Sequence, residues 1–344
     1  MCGIIGYIGP QDVTSVLMES LKRLEYRGYD SAGIAVVQGK KLQILRSTGK
    51  LRALEESLRL QPVQGDFGLG HTRWATHGRP SEENAHPHRD CSEQLVVVHN
   101  GIIENYLDLK QELLSSGHTF QTETDTEVIA HLLEACYQGT LVDAMRKALP
   151  RLKGVYALAA ITTREPNVIA AARMGPPIVI GLGNNEYFVS SDVSAILNHT
   201  RDVLFLQDGE IAQVTPEGVQ ITDFSGNLMT RETQKINWDP IMAEKSGFKH
   251  FMLKEIYEQP RAIRDTLLGR ISLDSGRIFL EEMEISEKEF IGFSRLVLVA
   301  CGTSWHAALI GKYLIETLAR IPVEVDFSSE FRYRRPFLTR DVLV

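Results

Sequence analysis

A cysteine stands at the second position of the chain, directly after the initiator methionine. If Met1 is removed, Cys2 becomes the first residue, and its thiol lies close to its own α-amine. A free α-amine has a pKa of roughly 7.7 to 8.0, so near neutrality it can accept the proton of the thiol. The resulting thiolate is a strong nucleophile. The alternative interpretation is a small apolar side chain without a chemical role.

Groups able to bind a carboxylate or an ammonium group follow later in the chain. Residues 71–78 read His-Thr-Arg-Trp-Ala-Thr-His-Gly. The guanidinium of Arg73 suits bidentate capture of a carboxylate, Thr76 can add a hydroxyl hydrogen bond, and Trp74 could close a pocket. Asp125 could hold a substrate ammonium group. The alternatives are a surface loop with a structural arginine, and an aspartate that only stabilises the first turn of a helix.

The sequence His99-Asn100-Gly101 follows an apolar run over residues 95–98. An asparagine side chain beside a glycine backbone N–H can form a two-donor oxyanion hole for an amide under attack by a thiolate. On local sequence alone the favoured alternative is a two-residue hairpin turn, for which Asn-Gly is typical. Residues 26–33 form another dense polar cluster, whose alternative is a plain helix-ending loop capped by Gly28.

Half of the ten histidines fall within one stretch, so a metal site has to be considered. They are His71, His77, His86, His88 and His99. No HExxH motif and no paired Cys/His spacing accompanies them, which favours hydrogen-bonding roles. We therefore predict no metal site and no cofactor.

Strands and a few helices are predicted to position these residues. Asp12 should cap a helix whose apolar face ends near residue 24, and Thr124-x-x-Glu127 reads as a capping box for a helix to about residue 139. Another helix is predicted over 141–149. Predicted strands cover residues 3–8, 33–37, 42–45, 67–70, 95–99, 155–161, 168–172, 178–182, 187–190, 203–206, 210–214 and 219–222. Short strands at this spacing indicate two antiparallel sheets packed face to face with helices outside.

The pattern changes after a polar segment that contains Asp239-Pro240 and reads as a linker. Beyond it, helices are predicted over 251–268 and 304–318. Residues 296–300, Leu-Val-Leu-Val-Ala, read as a fully buried parallel strand, and 323–327 as the next strand. Strand–helix–strand order indicates a doubly wound α/β unit.

Composition excludes several classes of protein. The chain has 344 residues, 43% hydrophobic and 24% charged, which is typical of a globular protein of two domains. A net charge of −7 argues against a nucleic-acid surface, and no apolar run is long enough for a membrane helix. The N-terminus lacks the features of a secretory signal and of a myristoylation site. Four widely spaced cysteines without a CxxC motif favour a reducing cytoplasm.

Taken together, the motifs closely resemble the glutamine–fructose-6-phosphate aminotransferase family. The resemblance to its N-terminal glutaminase domain covers residues 2–235 and rests on MCGIIG, YRGYDSAG, HTRWATHG, NAHPH, VVVHNGIIEN and TETDTEVIAH in this order. After a linker at 236–247, residues 248–344 resemble the start of the sugar isomerase (SIS) domain, through KEIYEQP, ACGTS and SEFRY.

The resemblance implies a role for each matching residue. Cys2 attacks the side-chain amide of L-glutamine, and Asn100 with the Gly101 N–H forms the oxyanion hole. Arg73, Thr76 and His77 hold the α-carboxylate, and Asp125 holds the α-amine. Trp74 gates the route by which ammonia leaves, and Arg27 supports the site. Thr303 and Ser304 would help bind fructose 6-phosphate, where a plain helix cap is the alternative.

The implied fold is α+β: a four-layer αββα N-terminal-nucleophile hydrolase domain followed by a partial, doubly wound α/β SIS domain. The complete protein would be a cytoplasmic homodimer that makes glucosamine 6-phosphate. The chain ends in Asp341-Val-Leu-Val344, before the later phosphate loop and the acid, base and lysine positions of the family. We therefore expect a truncated isomerase domain, and at most release of glutamate and ammonia.

Two other interpretations stay open on the sequence. The first is a different class II amidotransferase, such as a phosphoribosylamine-forming one, although residues 300–304 and 329–333 argue against it. The second is a non-enzymatic fragment that binds a sugar phosphate or a partner. It predicts stabilisation by fructose 6-phosphate without glutamate release.

Overall fold

The computed structural model describes residues 2–75, 77–237, 248, 250–267, 271, 278, 285 and 287–344. The chain divides into two compact units, Met1–Lys249 and His250–Val344. Ile236, the first residue of the predicted linker, packs into the apolar core of the first unit, and its N–H bonds the carbonyl of Arg201 at 2.8 Å. Residues 238–247 of that linker lie outside the described residues.

The first unit contains strands β1–β14 and helices α1–α5. The strands are β1 Gly3–Ile8, β2 Ser31–Gln38, β3 Lys41–Thr48, β4 Phe67–Arg73, β5 His88–Arg89, β6 Leu95–Ile103, β7 Gly154–Thr162, β8 Ile169–Met174, β9 Val179–Leu182, β10 Tyr187–Ser190, β11 Asp202–Phe205, β12 Glu210–Thr215, β13 Gly218–Asp223 and β14 Gln234–Lys235. The helices are α1 Val13–Leu24, α2 Leu51–Leu60, α3 Tyr106–Ser115, α4 Glu127–Cys136 and α5 Leu141–Ala148.

Most of the predicted strands agree with these bounds to within one or two residues, and the predicted hairpin at β2 and β3 is confirmed. Strand β4 extends three residues beyond the predicted 67–70, and β6 extends four beyond the predicted 95–99.

These strands form two antiparallel sheets. One has the order β14-β11-β9-β10-β1-β4-β2-β3, and the other β13-β12-β8-β7-β6-β5. Strand β1 lies inside the first sheet, paired with β4 and β10, so the residue that precedes it is held at the middle of the sheet. Strand β6 pairs with β7 along its whole length.

The strand residues alternate between two apolar layers, as a two-residue period requires. In β1, Ile4 faces the layer between the sheets, whereas Ile5 faces the layer under helix α1. In β6, Val96 faces the layer between the sheets and Val97 the layer under α4 and α5. Helix, sheet, sheet and helix therefore stack in four layers, which confirms the predicted αββα architecture.

The local predictions for the helices are partly confirmed. Asp12 caps α1, accepting the N–H of Ser15 at 2.8 Å. The predicted capping box at Thr124 is wrong, because α4 begins at Glu127 and the Thr124 hydroxyl lies 3.2 Å from His88 Nε2 instead. Gly28 is not a left-handed cap either: its backbone is extended, with φ −166°. Helices α2 and α3 were not predicted.

The second unit contains a small parallel sheet. Its described elements are α6 Phe251–Leu267, α7 Glu287–Ile291, β15 Arg295–Ala300, α8 Gly302–Leu318, β16 Val323–Phe327, α9 Ser328–Tyr333 and β17 Val342–Leu343. Strand β15 pairs in parallel with β16 on one side and β17 on the other, which confirms the doubly wound start.

The prediction that residues 296–300 are fully buried is wrong. Leu296 and Val297 are buried, whereas Leu298, Val299 and Ala300 are partly exposed. Full burial of a parallel strand requires cover on both faces, and an apolar sequence does not by itself provide that cover. Among the described residues, no helix combines the length and the apolar character needed to span a bilayer.

Candidate active site

Cys2 lies at the head of β1, where two distant segments meet it. The N–H of Trp74 donates to the Cys2 sulfur at 3.1 Å. The side-chain amide of Asn100 donates to the Cys2 carbonyl at 3.0 Å. The sheets thus bring together the predicted nucleophile, the end of β4 and the predicted oxyanion donor, which lie far apart in the sequence.

Asn100 is oriented by a buried histidine. His71 Nε2 lies 3.0 Å from Asn100 Oδ1 and 3.1 Å from the carbonyl of His99. Both partners are acceptors, so this ring nitrogen carries the proton. The bond fixes which end of the Asn100 amide faces Cys2. Because an amide nitrogen has two hydrogens, Asn100 can hold the Cys2 carbonyl and still donate to a substrate oxygen.

The Asn-Gly pair is not a hairpin turn. Asn100 and Gly101 lie within β6, opposite Ala157 and Tyr156 of β7. Gly101 has φ +142°, and a Cβ there would lie 2.0 Å from the carbonyl oxygen of Val155. A glycine is therefore required for the two strands to approach at this point.

Arg73 ends β4 as a buried guanidinium with one nitrogen available. Its Nη2 donates to the carbonyls of His77 and Gly78, the latter at 3.1 Å. Its buried Nη1 finds no hydrogen-bond partner among the described residues. A buried donor without a partner is costly unless a ligand completes it, and a carboxylate is the natural partner of arginine. Thr76 lies outside the described residues.

Asp125 is buried just before α4. One oxygen accepts the N–H of Ile103, at the end of β6, at 2.8 Å. This bond ties the carboxylate to the strand that carries Asn100 and Gly101. The predicted ammonium-binding group and the predicted oxyanion hole therefore belong to one connected piece of structure.

The loop after α1 supports Trp74. A Cβ at Gly28 would lie 2.6 Å from the backbone of Arg73, so glycine permits the close approach of this loop to β4. Asp30 accepts the N–H of Ala75 at 2.7 Å, and the Tyr29 ring meets the Trp74 ring edge-on at 5.3 Å. Trp74 is 44% exposed.

Arg27 anchors this loop rather than facing Cys2. Its guanidinium pairs with Asp192, and its Nε donates to the Tyr26 hydroxyl at 3.1 Å. Asp192 follows β10, the neighbour of β1. The pairing therefore joins the loop to the strand beside the nucleophile.

Burial governs the electrostatics of the site. Burial raises the pKa of the Cys2 thiol, while the Trp74 N–H and the charge of Arg73 act in the opposite direction. The thiol accordingly needs a base to form a thiolate. Burial also lowers the pKa of Arg73, and the nearby Cys2, Asp125 and Asp30 partly oppose this shift.

Four of the five histidines, His71, His86, His88 and His99, hydrogen-bond through their side chains as predicted. His86 and His99 both contact the Thr126 hydroxyl, at 3.0 and 2.9 Å, and the His71 and His86 rings stack at 4.1 Å. Burial lowers the pKa of His71 and of His88 to about 3, so both rings are neutral near pH 7. His77 lies apart, edge-on to the Tyr106 ring at 5.4 Å.

In the second unit, Thr303 and Ser304 lie in the first turn of α8 and are exposed. The N-cap is Cys301, and its side chain makes no capping bond. The alternative that Ser304 caps this helix is therefore wrong. The two hydroxyls stand at a helix N-terminus, beside Gly302 with φ +62°.

Sequence reasoning missed two groups at this site and a third group elsewhere in the first unit. The role of His71 in orienting Asn100 and that of Asp30 in holding Ala75 depend on contacts across the sheet. Both residues belong to the polar motifs at residues 71–78 and 26–33, and that membership is the signal in the sequence that could have identified them. A third group, around Cys91, gave no signal of spacing in the sequence.

Comparison with known proteins agrees with this geometry. A family model described as a glutamine amidotransferase domain matches residues 71–198. Glutamine–fructose-6-phosphate aminotransferase [isomerizing] of Symbiobacterium thermophilum is 50% identical over 343 residues, which is 100% of this chain and 56% of the relative. The enzyme of the same name from Thermus thermophilus is 50% identical, covering 98% of this chain and 55% of the relative. The chain thus spans little more than half the length of these relatives.

Solved structures show the same fold. Glutamine phosphoribosylpyrophosphate amidotransferase from B. subtilis aligns with a TM-score of 0.60 at 25% identity, covering 94% of this chain and 65% of that chain. The fold, the site and the sequence matches agree. Over its whole length the chain is similar to glutamine–fructose-6-phosphate aminotransferases, and its residues 71–198 match the glutamine amidotransferase domain model.

Proposed function

We propose that this chain hydrolyses the side-chain amide of L-glutamine with the thiolate of Cys2, releasing glutamate and ammonia. One observation carries the proposal: the Trp74 N–H and the Asn100 amide both bond to Cys2, at 3.1 and 3.0 Å. The proposed nucleophile, a hydrogen-bond donor to its sulfur and the proposed oxyanion donor therefore lie within hydrogen-bonding distance of one residue, Cys2. The name of the matching family and those of the relatives support the same substrate.

The reaction follows from these groups. After removal of Met1, the free α-amine of Cys2 takes the thiol proton, and the thiolate attacks the amide carbon. The developing oxyanion receives hydrogen bonds from Asn100 and from the Gly101 N–H. The amine returns its proton to the leaving nitrogen, ammonia departs, and water hydrolyses the thioester to glutamate.

A charged clamp would select free glutamine. We assign the α-carboxylate to Arg73, whose buried Nη1 is available, with Thr76 and His77 beside it in the sequence. We assign the α-amine to Asp125. A glutamine within a peptide lacks both charges and would leave both residues without a partner, which costs binding free energy. Arg27 is assigned as a supporting residue through Asp192.

In the complete protein, we propose that the ammonia passes to fructose 6-phosphate to give glucosamine 6-phosphate. Trp74 would gate its route, because the exposed indole adjoins the backbone N–H that contacts the Cys2 sulfur. Thr303 and Ser304 would contribute to sugar-phosphate binding from the start of α8. A homodimer and a cytoplasmic location remain part of this proposal. Identity of 50% to aminotransferases, against 25% to the phosphoribosylpyrophosphate enzyme, favours this acceptor.

The proposal is tested by glutamate release from the full chain after its N-terminal residue is established by intact mass. We expect Cys2→Ala to reduce turnover by about 10⁴-fold or more, since the nucleophile is lost. Cys136→Ser is the matched control, because this thiol lies at the far end of α4. Full activity in Cys2→Ala would refute the mechanism. For the complete protein, product formation with fructose 6-phosphate, against phosphoribosyl pyrophosphate, identifies the acceptor.

A further inference from the structure

Four potential metal ligands converge in the first unit, at the side of α4. The Cys91 sulfur lies 3.3 Å from His131 Nδ1 and 3.5 Å from His118 Nδ1. Glu134 Oε2 lies 3.2 Å from His118 Nδ1 and 3.7 Å from His131 Nδ1. All four ligand atoms lie within 4.8 Å of one another. We name this group the Cys91 cluster.

Four of the six distances between the ligand atoms match a tetrahedral zinc site. With Zn–S near 2.3 Å and Zn–N or Zn–O near 2.0 to 2.1 Å, ligand atoms at the corners of a tetrahedron lie about 3.3 to 3.6 Å apart. The four distances above fall close to that range. Four lone-pair-bearing atoms at such spacing repel one another unless protons or a cation lie between them.

The surroundings resemble the outer shell of a metal site. His131 is buried, and its other ring nitrogen makes no hydrogen bond within the described residues but lies 3.5 Å from a carboxylate oxygen of Glu127. A carboxylate behind a metal-bound imidazole commonly orients the ring. The N–H of Thr119 donates to the Cys91 sulfur at 3.4 Å. Glu134 accepts the N–H groups of Cys91 and Ser92, each at 3.1 Å.

The chemistry of the donors favours zinc. A thiolate, two imidazoles and a carboxylate form a borderline-soft set, which suits Zn²⁺ better than Mg²⁺ or Ca²⁺. Four protein ligands complete a tetrahedron and leave no position open for a substrate, as in structural zinc sites. The sequence motif is weak, since only His131 and Glu134, three residues apart, share one helix.

We propose that Cys91, His118, His131 and Glu134 bind a structural zinc ion. The ion would join the turn before β6 to the segment between α3 and α4. That segment is also held by Glu127, which accepts the N–H groups of Gln121 and Thr122 at 2.7 and 2.8 Å. It carries Asp125, so zinc would fix a residue of the glutamine site without touching the substrate. The proposed zinc ion is contrary to the prediction, made from the sequence, that the protein has no metal site.

Metal content of the full chain tests the proposal independently of any activity. The protein is produced without a histidine tag, loaded with ZnSO₄, dialysed, and measured by elemental mass spectrometry. All variants carry Cys2→Ser, so that the N-terminal thiol and amine cannot bind zinc. We expect about one zinc per chain. Cys91→Ser should lose it, and Cys136→Ser, the matched control, should retain it.

Cobalt provides a second readout at the same site. Co²⁺ bound to the Cys91 cluster should show a thiolate-to-cobalt band in the near ultraviolet and tetrahedral bands in the visible. Both should vanish in His118→Asn, which covers the case in which Cys91→Ser fails to fold. Zinc content below about 0.1 per chain without a cobalt band, or unchanged content in both folded variants, would overturn the proposal and leave a hydrogen-bonded cluster.

Discussion

The two units bury their apolar residues very differently. In the first, three apolar layers fill the space between two sheets and their helices, and residues such as Leu17, Leu21 and Val97 are 0% exposed. In the second, helix α8 is as apolar as a core helix, yet its Leu314 and Leu318 are 55% and 79% exposed. Apolar composition is thus similar, whereas the cover provided by neighbouring elements is not.

This difference explains why the candidate chemistry is precise in one unit and open in the other. Arg73 and Asn100 lie on buried strands and Cys2 directly precedes one, so spacings of about 3 Å between Cys2 and its partners Trp74 and Asn100 can be held. Thr303 and Ser304 lie on an exposed first turn. The side chains of a site are held in position by residues packed behind them, and among the described residues such packing is much more extensive in the first unit.

Substitution of two glycines with positive φ, one in each unit, should give the largest difference in stability cost between the units. A methyl group at Gly101 meets the Val155 carbonyl at 2.0 Å, whereas one at Gly302 meets nothing within 4 Å. We expect Gly101→Ala to cost about 4 kcal/mol or more, or to prevent folding. Gly302→Ala should cost about 1 kcal/mol, the strain of a left-handed residue alone. Hydrogen exchange of peptides from β6 and β15 measures each effect locally. Equal costs at both positions would refute the contrast.

A matched pair of leucines tests burial directly. Leu21 on α1 is 0% exposed, and Leu314 on α8 is 55% exposed. Leu21→Ala should lower the free energy of unfolding by about 2 to 5 kcal/mol, because it leaves a cavity. Leu314→Ala should change it by less than about 0.5 kcal/mol. Urea unfolding, monitored by hydrogen exchange, distinguishes the two substitutions. A large loss for Leu314→Ala would show that α8 is covered in solution.

Acid should weaken the first unit through its neutral histidines. The pKa of His71 and of His88 is held at about 3 by burial, against 6.5 when unfolded. Between these values the unfolded chain binds more protons, so the free energy of unfolding decreases as pH is lowered, by about 1.4 kcal/mol per pH unit for each ring. Between pH 6.5 and 5, ordinary carboxyl groups stay charged, so the loss reports the buried histidines, among them His86 and His99, whose pKa burial also lowers.

Proton NMR of the histidine rings, combined with urea unfolding at both pH values, checks this prediction. The signals of His71 and His88 should not titrate in the folded protein. A midpoint near pH 6.5 for either ring would contradict the assigned burial.

The sequence predicted features that depend on neighbouring residues in the chain better than features that depend on contacts between distant segments. Alternating apolar residues gave the strands and the four layers, because each strand carries its own period of two. The chemical types of Cys2, Arg73, Asn100 and Asp125 indicated the site, and the structure brings Cys2, Arg73 and Asn100 together through Trp74 and His71.

The errors came where a partner from elsewhere in the chain decides the outcome. Asn100-Gly101 reads as a turn locally, but β7 pairs with it and makes it part of a strand. The Thr124 hydroxyl could cap a helix, yet it meets His88. The Cys91 cluster draws on three separated segments, so no spacing reveals it.

A stacked aromatic pair gives the smallest predicted effect and tests whether the second unit has a core of its own. The Trp305 and Phe327 rings stack at 4.6 Å, although Phe327 is 45% exposed. Phe327→Leu should cost about 0.5 to 1.5 kcal/mol, the usual contribution of such a pair. Phe337→Leu, at an 85% exposed position, is the control and should change stability by less than about 0.5 kcal/mol. Hydrogen exchange in β15 measures both. A cost above about 3 kcal/mol for Phe327→Leu would equal that of a fully buried ring and would erase the contrast between the units.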